Sequence, residues 1–408
     1  MRGKTLLIVC GGIEATHGIA RAKEMGLHVV VSDMNPEAPG FALADDRLIA
    51  STYDVEATRA AALDYDRKIR RIHGVICIGA DVPLTVASVA EALGLPGIPV
   101  SSARLATDKL AMKQRFSALG VPVPWYAALH SADDLERHLK ERGPDLVVKP
   151  VDSRGGRGVQ RLNTGIDPCL AFARAQCQSP TRRVMVEAFL DGPQVSTESM
   201  MLDGVAYTPG FSDRNYEYLD RFAPFFIENG GDLPSHLPEW TQHAVCETVE
   251  AAGRALGIEN GNIKGDIVVH RGQPYVIELA ARLSGGYFST REIPLNTGVD
   301  FVGCVIRMAM GERVTPQDLT PRYRKPVIQR YVFPEPGRII RIAGIEEAER
   351  LPGIEEIVVS LNPGDIVPPP TSSAARAAMI LATGDTRDQA LAAANAAVAR
   401  IKVETATP

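Results

Sequence analysis

Two acidic residues, Asp266 and Glu278, carry the clearest chemical signal in this chain. They lie in KGDIVVHRGQPYVIELAARLSGG, which begins at Lys264. The stretch reads as two short strands, 266–270 and 274–279, joined by the turn Arg271-Gly272-Gln273. Folding it about Gly272 sets Asp266 opposite Glu278 and Val268 opposite Val276. Side chains alternate along a strand with period two, so both acids share one face. Opposed hairpin residues stand about 4.5–5.5 Å apart at Cβ, where like charges repel. A cation between them removes the repulsion, and a hard one such as Mg²⁺ also holds phosphate oxygens. Two acids on a solvated hairpin face are the plainer alternative.

Basic residues that could face such a metal come earlier. Lys149 ends the strand-like LVVKP and is followed by VDSRGGRGV. Ser153, Gly155, Gly156 and Gly158 make a loop able to turn backbone N–H groups toward phosphates, with Arg154 and Arg157 adding charge. The pattern is not GxxxxGK[ST], which excludes a Walker A loop. Lys109 opens a second basic segment, TDKLAMKQRF. A third segment, VMVEAFLDGPQV, leaves a strand at Glu187 and passes Ala188, Phe189 and Leu190 toward Gln194. Backbone groups freed there could read an adenine edge, and Glu187 could take its amino group. A surface turn, a solvated lysine and a strand ending at Asp191-Gly192 are the corresponding structural alternatives.

The elements that must position these groups fall into three segments. Segment 1–102 alternates TLLIVC, a helix over 16–26, HVVVSD, a helix over 57–70, GVICIG and a helix over 82–93. Such alternation predicts parallel strands with right-handed crossovers. Segment 103–314 opens on a helix over 103–119, then a helix over 132–142 and paired strands, an α+β texture. Segment 315–408 holds VIQRYVF, EEIVVS, AMILATG and a last helix over 387–401, a small α/β cap with no evident chemistry. The formal net charge of −5 offers no footprint for nucleic acid or anionic membrane. The apolar run 6–10 is too short for a signal-peptide core or a membrane span. Six cysteines without a CxxC argue against zinc and against a disulfide framework, which makes a reducing cytoplasm the expected setting.

In order, Lys109, VVKP with Lys149, SRGGRGV, VEAFLDG, Asp266 and IELAAR with Glu278 resemble the ATP-grasp superfamily, in its carboxylate–amine ligase branch of amino-acid type. The resemblance implies a Rossmann-like N-terminal domain, a two-subdomain α+β clamp around ATP and a small C-terminal cap. It implies that Lys109 and Lys149 contact the α- and β-phosphates. Ser153–Gly158 would be a mobile flap, and Glu187 through Leu190 would hold the adenine, Leu190 by its backbone. Mg²⁺, with Mn²⁺ as a substitute, would sit on Asp266 and Glu278. Arg282 would face the reacting carboxylate. Two positions depart from the pattern. Ala280 stands where an asparagine is common, and Gln194 where a ribose-binding acid is expected, with Glu198 as a substitute.

The activity so implied is ATP-dependent joining of a small carboxylate to an amine through an acyl phosphate. Substrate contacts are expected from Ser284, Gly285, Gly286 and Arg291, whose guanidinium could pair a carboxylate, and from Asp213, Arg214, Tyr216 and Glu228. A homodimer is the default assembly. Two enzyme alternatives remain. A bicarbonate-activating carboxylase would share the clamp. A dinucleotide oxidoreductase would use Gly11, Gly12, Gly18 and Asp33, although their spacing is not GxGxxG. A catalytically silent nucleotide-binding module is the third.

Overall fold

Strand Thr5–Val9 is buried at every position, as a continuous apolar run in a parallel sheet should be. It pairs in parallel with His28–Asp33 and with Gly74–Ile76, and Asp46–Ile49 completes a four-stranded sheet beyond His28–Asp33. The DRLI strand was not expected. It is a half-exposed edge of four residues, two of them charged, and carries little apolar signal. The computed structural model describes residues 1–162 and 166–406.

The glycine turn after the first strand is closed upon itself. Gly11 N donates to Asp33 Oδ2 at 2.9 Å, and Gly11 O accepts from Gly40 N at 2.7 Å. Asp33 is thus engaged by the turn, where a dinucleotide site would set it on a ribose hydroxyl, which counts against the oxidoreductase alternative.

The helix expected over 103–119 is two helices, Val100–Thr107 and Lys109–Ala118. Asp108 breaks it. Its backbone is extended, and its carboxylate accepts from Ala111 N at 2.9 Å as the second helix's N-cap. The cap sets Lys109 at the first helical position, where its own N–H reaches Val151 O at 3.0 Å.

Two antiparallel sheets face each other beyond this point. The smaller has the order Tyr126–Leu129, Val184–Ala188, Leu146–Pro150, Gln160–Leu162. Helices Ala132–Arg142 and Pro168–Cys177 accompany it, and its core gathers Leu135, Val148, Phe172 and Val186. The larger has eight strands and does not stop where the C-terminal segment begins. From Gln273–Ala280 it runs through Gly261–His270, Gln194–Leu202, Val205–Arg214 and Gly231–Leu233, then on to Val327–Val332, Ala378–Thr383 and Ile354–Val359. Helix Glu239–Ala255 packs beside it, its Val245, Val249 and Ala252 sharing a core with Ile263, Ile267 and Val276. A separate three-stranded sheet pairs Gly337–Ala343 with Lys402–Ala406 and Ile366–Val367. Among the described residues no helix is long and apolar enough to cross a membrane.

The Asp266–Glu278 hairpin reaches its expected register by an unexpected route. Its turn is the two-residue Arg271-Gly272, both at positive φ, and Gln273 is already paired with His270. Val268 therefore faces Tyr275, not Val276. A bulge at Ile277 then restores the offset, so Asp266 does stand opposite Glu278.

Candidate functional site

One face of the large sheet is the floor of a cavity of about 540 Å³, within the usual range for a small-molecule site. Period-two alternation delivers Gln194 and Ser196, Ser212 and Arg214, and Lys264, Asp266 and Val268 to that face. Glu278 and Ala280 join them from the last strand. Asp266 accepts from Arg214 Nη1 at 2.7 Å and from Lys264. Burial pushes its carboxyl up, but Arg214 and Lys264 outweigh burial and hold it well below the usual carboxylate range. Glu278 Oε1 lies 3.1 Å from Lys109 Nζ, which also donates to Ser153 O at 2.8 Å. Lys264 stands opposite Ala280, so a methyl group is all that the partner strand places beside this lysine.

The small sheet and its loop form the roof. Lys149 and Glu187 are neighbours on adjacent strands, and their side chains bond to each other. The carboxylate expected to take an adenine amino group is instead the counter-ion of two lysines. Lys113 Nζ lies 2.9 Å from its other oxygen. Burial pushes the Glu187 carboxyl up, but Lys113 and Lys149 outweigh it and hold it below its ordinary value. Burial lowers Lys113 against the pull of Glu187. Lys113 was missed in the sequence. It lies one helical turn after Lys109, on the same face, which is the signal that would have found it.

Past Glu187 the cavity turns apolar, lined by Val147, Val159, Phe189, Val268 and Ile277, a slot suited to a flat base. Ala188 N and Phe189 N are taken by Trp125 O and Asp145 O. The Leu190 amide has no partner among the described residues. The flap crosses the mouth with Gly155, Gly156 and Gly158 at positive φ, a conformation other residues adopt with strain. Arg154 stacks 3.9 Å over the Tyr53 ring, and Ser373 Oγ meets Gly155 O at 3.4 Å. Gly158 is not part of the lining: a Cβ there would press on Pro150 and Gln178 at 2.9 Å.

At the far end Arg282 is buried against Asp81, Nε to Oδ1 at 3.5 Å. Burial alone would lower its basicity, and Asp81, with Cys77, Glu198 and Glu278 near, more than restores it. Ser284, Gly285 and Gly286 follow it into the lining, with Arg214, Tyr216 and Glu228. Arg214 Nη2 reaches Glu228 Oε2 at 2.7 Å. Glu198 lies beneath this loop, fully buried, with both oxygens accepting from Ser284 N at 3.2 and 3.3 Å. It is no ribose ligand, because Ser284 covers it. Burial pushes its carboxyl up to about 7.

Two expected substrate residues stand elsewhere. Arg291 is held by Glu356, Nε to Oε2 at 2.6 Å. Asp213 accepts from Ser235 Oγ and from His236 N. Neither lines the cavity. The terminal segments contribute what the sequence reading did not foresee: Glu14, Tyr53 and Asp81 from the first, Gln329, Tyr331, Ser373 and Arg376 from the last. The C-terminal cap is thus a wall of the site.

A half-buried carboxylate pair, two lysines, a glycine flap and an apolar slot between two sheets define a nucleotide clamp. Residues 106–286 match the ATP-grasp domain family. That segment is an ATP-grasp domain, and the proteins this chain is similar to include ligases. Residues 330–406 match the family described as L-amino acid ligase C-terminal domain 2. An uncharacterized protein, y4rH, of Sinorhizobium fredii is 26% identical over 375 residues, covering 89% of this chain and 75% of that protein. A D-alanine–D-alanine ligase of Azoarcus sp. is 25% identical over 258 residues, 61% of this chain and 81% of its own. The crystal structure of an L-amino acid ligase from Bacillus licheniformis superposes with a TM-score of 0.84 at 22% identity, covering 100% of both chains.

Proposed function

We propose that this chain activates an amino acid or similar small carboxylate as an acyl phosphate and joins it to an amine, releasing ADP and phosphate. The observation that carries the reading is the meeting of Asp266, Glu278, Lys109, Lys149 and Arg282 around one cavity. The match of the last segment to an L-amino acid ligase domain supports an amino acid as the acid.

Asp266 and Glu278 fit a divalent cation. They oppose each other in register, line the cavity, and Asp266 is held ionised. Among the described residues no group of three or more ligating side chains gathers, so a metal would rest on these two and on phosphate oxygens. When bound, Mg²⁺, or Mn²⁺ in its place, would neutralise charge on the transferring phosphoryl group. Lys109 and Lys149 would hold the α- and β-phosphates, and the 153–158 flap would exclude water from the acyl phosphate. Phe189 and Leu190 would hold the base, and Gln194 a ribose hydroxyl. Arg282 would orient the carboxylate oxygen for in-line attack on the γ-phosphate and then steady the tetrahedral species when the amine displaces phosphate. No side-chain nucleophile is needed. The segments 1–102, 103–314 and 315–408 as domains, and a homodimer, belong to the same proposal.

The test is a screen of amino acids and other small acids, paired with amines, for phosphate release dependent on ATP and Mg²⁺. Release with at least one pair, and peptide or amide product by mass, is expected. ATP turnover that no acid stimulates would overturn the reading.

A further inference from the structure

The substrate end of the cavity holds a carboxyl that none of the proposed steps uses. Glu292 follows the Ser284–Gly286 loop, in the π-helical turn Phe288–Glu292. It is only 3% exposed, yet it lines the cavity. Among the described residues its carboxylate has no ion pair and no hydrogen bond. The nearby cations are committed elsewhere. Arg214 bridges Asp266 and Glu228 at 2.7 Å each. Arg376 donates to Glu228 O at 2.6 Å and stacks 3.9 Å over the Tyr331 ring. Arg330 and Arg387 hold Asp232. A second carboxyl, Glu14, enters the same end from the N-terminal segment, with no ion pair among the described residues.

Space for a ligand is built in beside them. Gly231 and Gly286 both line the cavity, and neither puts a side chain into it. A buried carboxyl costs least when it is neutral or faces a cation. Burial, with Glu228 and Asp232 near, pushes Glu292 well above the usual carboxylate range. A positive group arriving beside it would supply the partner it lacks. Arg214 links Asp266 to Glu228, and Glu292 lines the same cavity as Arg282.

We propose that Glu292, assisted by Glu14, is a specificity subsite for a positively charged side chain, so that the acid activated here is a basic amino acid carrying a distal amine or guanidine. The inference rests on the ligase reading and narrows its substrate.

The test compares kcat/KM for L-lysine, L-ornithine and L-arginine with that for L-norleucine, L-methionine and L-glutamine, in the wild type and in Glu292→Gln. The basic acids should lead in the wild type. The basic-to-neutral ratio should fall at least about tenfold in E292Q, the usual worth of a charged hydrogen bond. A merely structural lesion would lower both substrates alike and leave the ratio unchanged. If E292Q does not fold, Glu14→Gln, on another element, is read in the same way. Neutral acids turned over as well as basic ones, with the ratio unmoved in the variant, would overturn the subsite and leave the ligase intact. Should no acid support turnover, the ligase reading fails, and calorimetric titration of the wild type still reads the subsite. L-lysine binding tighter than L-norleucine supports it, and equal binding overturns it.

Discussion

Replacing Lys113 by methionine tests whether the buried Lys113–Glu187–Lys149 group is a single electrostatic unit. Lys113 is 1% exposed and Glu187 3%, so neither charge can turn to water. Removing one partner of a buried ion pair costs about 3–5 kcal/mol, because the other charge is stranded. K113M should lie near 3 kcal/mol, since Glu187 keeps Lys149. E187Q should lie near 5, since it leaves two ammonium groups together. For a unit of this size that is of order 6–20 °C in Tm. The double variant K113M/E187Q leaves only Lys149 beside a neutral amide. It should be more stable than the sum of the singles by at least about 2 kcal/mol. Urea unfolding of the four proteins measures the cycle. The KM for ATP, read in parallel, should rise in K113M, where Glu187 holds Lys149 alone and more tightly. Single costs below about 1 kcal/mol that add within about 0.5 would refute the argument. Lys113 would then be a lysine that merely packs.

Three further outcomes follow. Glu278→Gln should lower Mg²⁺-dependent ATP turnover by about a hundredfold or more, the scale of several kcal/mol of lost charge stabilisation; turnover close to wild type in a coupled ADP assay would remove Glu278 from the metal site. Lys149→Ala should raise the KM for ATP about tenfold or more, and an unchanged KM would take Lys149 out of the phosphate site. Glu198, pushed up to about 7 from 4.5, keeps a proton in the folded chain that the unfolded chain has already released. Between those values stability from this group falls as pH rises, by about 3 kcal/mol in all. E198Q should abolish that fall, so its stability relative to wild type should be higher at about pH 8 than at about pH 5. A gap that does not change with pH would show that Glu198 does not titrate in that window.

The parts of the site legible in the sequence were those whose neighbours lie close along the chain. Asp266 and Glu278 share a hairpin, and a hairpin's period of two is written in its residues. Even there the agreement was partly compensation: the turn was read one residue too long, and the bulge at Ile277, invisible in the hydrophobic pattern, cancelled the error. Asp108 illustrates a legible signal outweighed by a longer one. A Thr-Asp before a lysine is a helix start, but the helical texture of 103–119 ran across it. What escaped entirely was pairing at long range. Glu187 has acid chemistry in any reading, but that two lysines hold it depends on how a helix and two strands meet. The same holds for Gln329, Tyr331 and Arg376. They reach the cavity because the large sheet continues into the C-terminal segment, and sheet order between distant strands has no local signature.

The charges in this cavity hold one another in a way that bears on how it would work. Lys109 faces Glu278, Lys149 faces Glu187, Arg214 faces Asp266, and Arg282 faces Asp81. A phosphate at Lys109 competes with Glu278 for it, and a cation at Glu278 competes with Lys109. Either exchange alone strands a charge in a poorly solvated place, which is costly. Made together, with metal and nucleotide arriving as one, the exchange conserves the number of paired charges. On the proposed reading, Lys109 thus couples nucleotide entry to metal entry, a linkage that acts in both directions. Lys149 differs, because Glu187 retains Lys113 when Lys149 turns to a phosphate. The second buried lysine is then what allows the first to leave, which gives Lys113 a functional role without any contact with ATP.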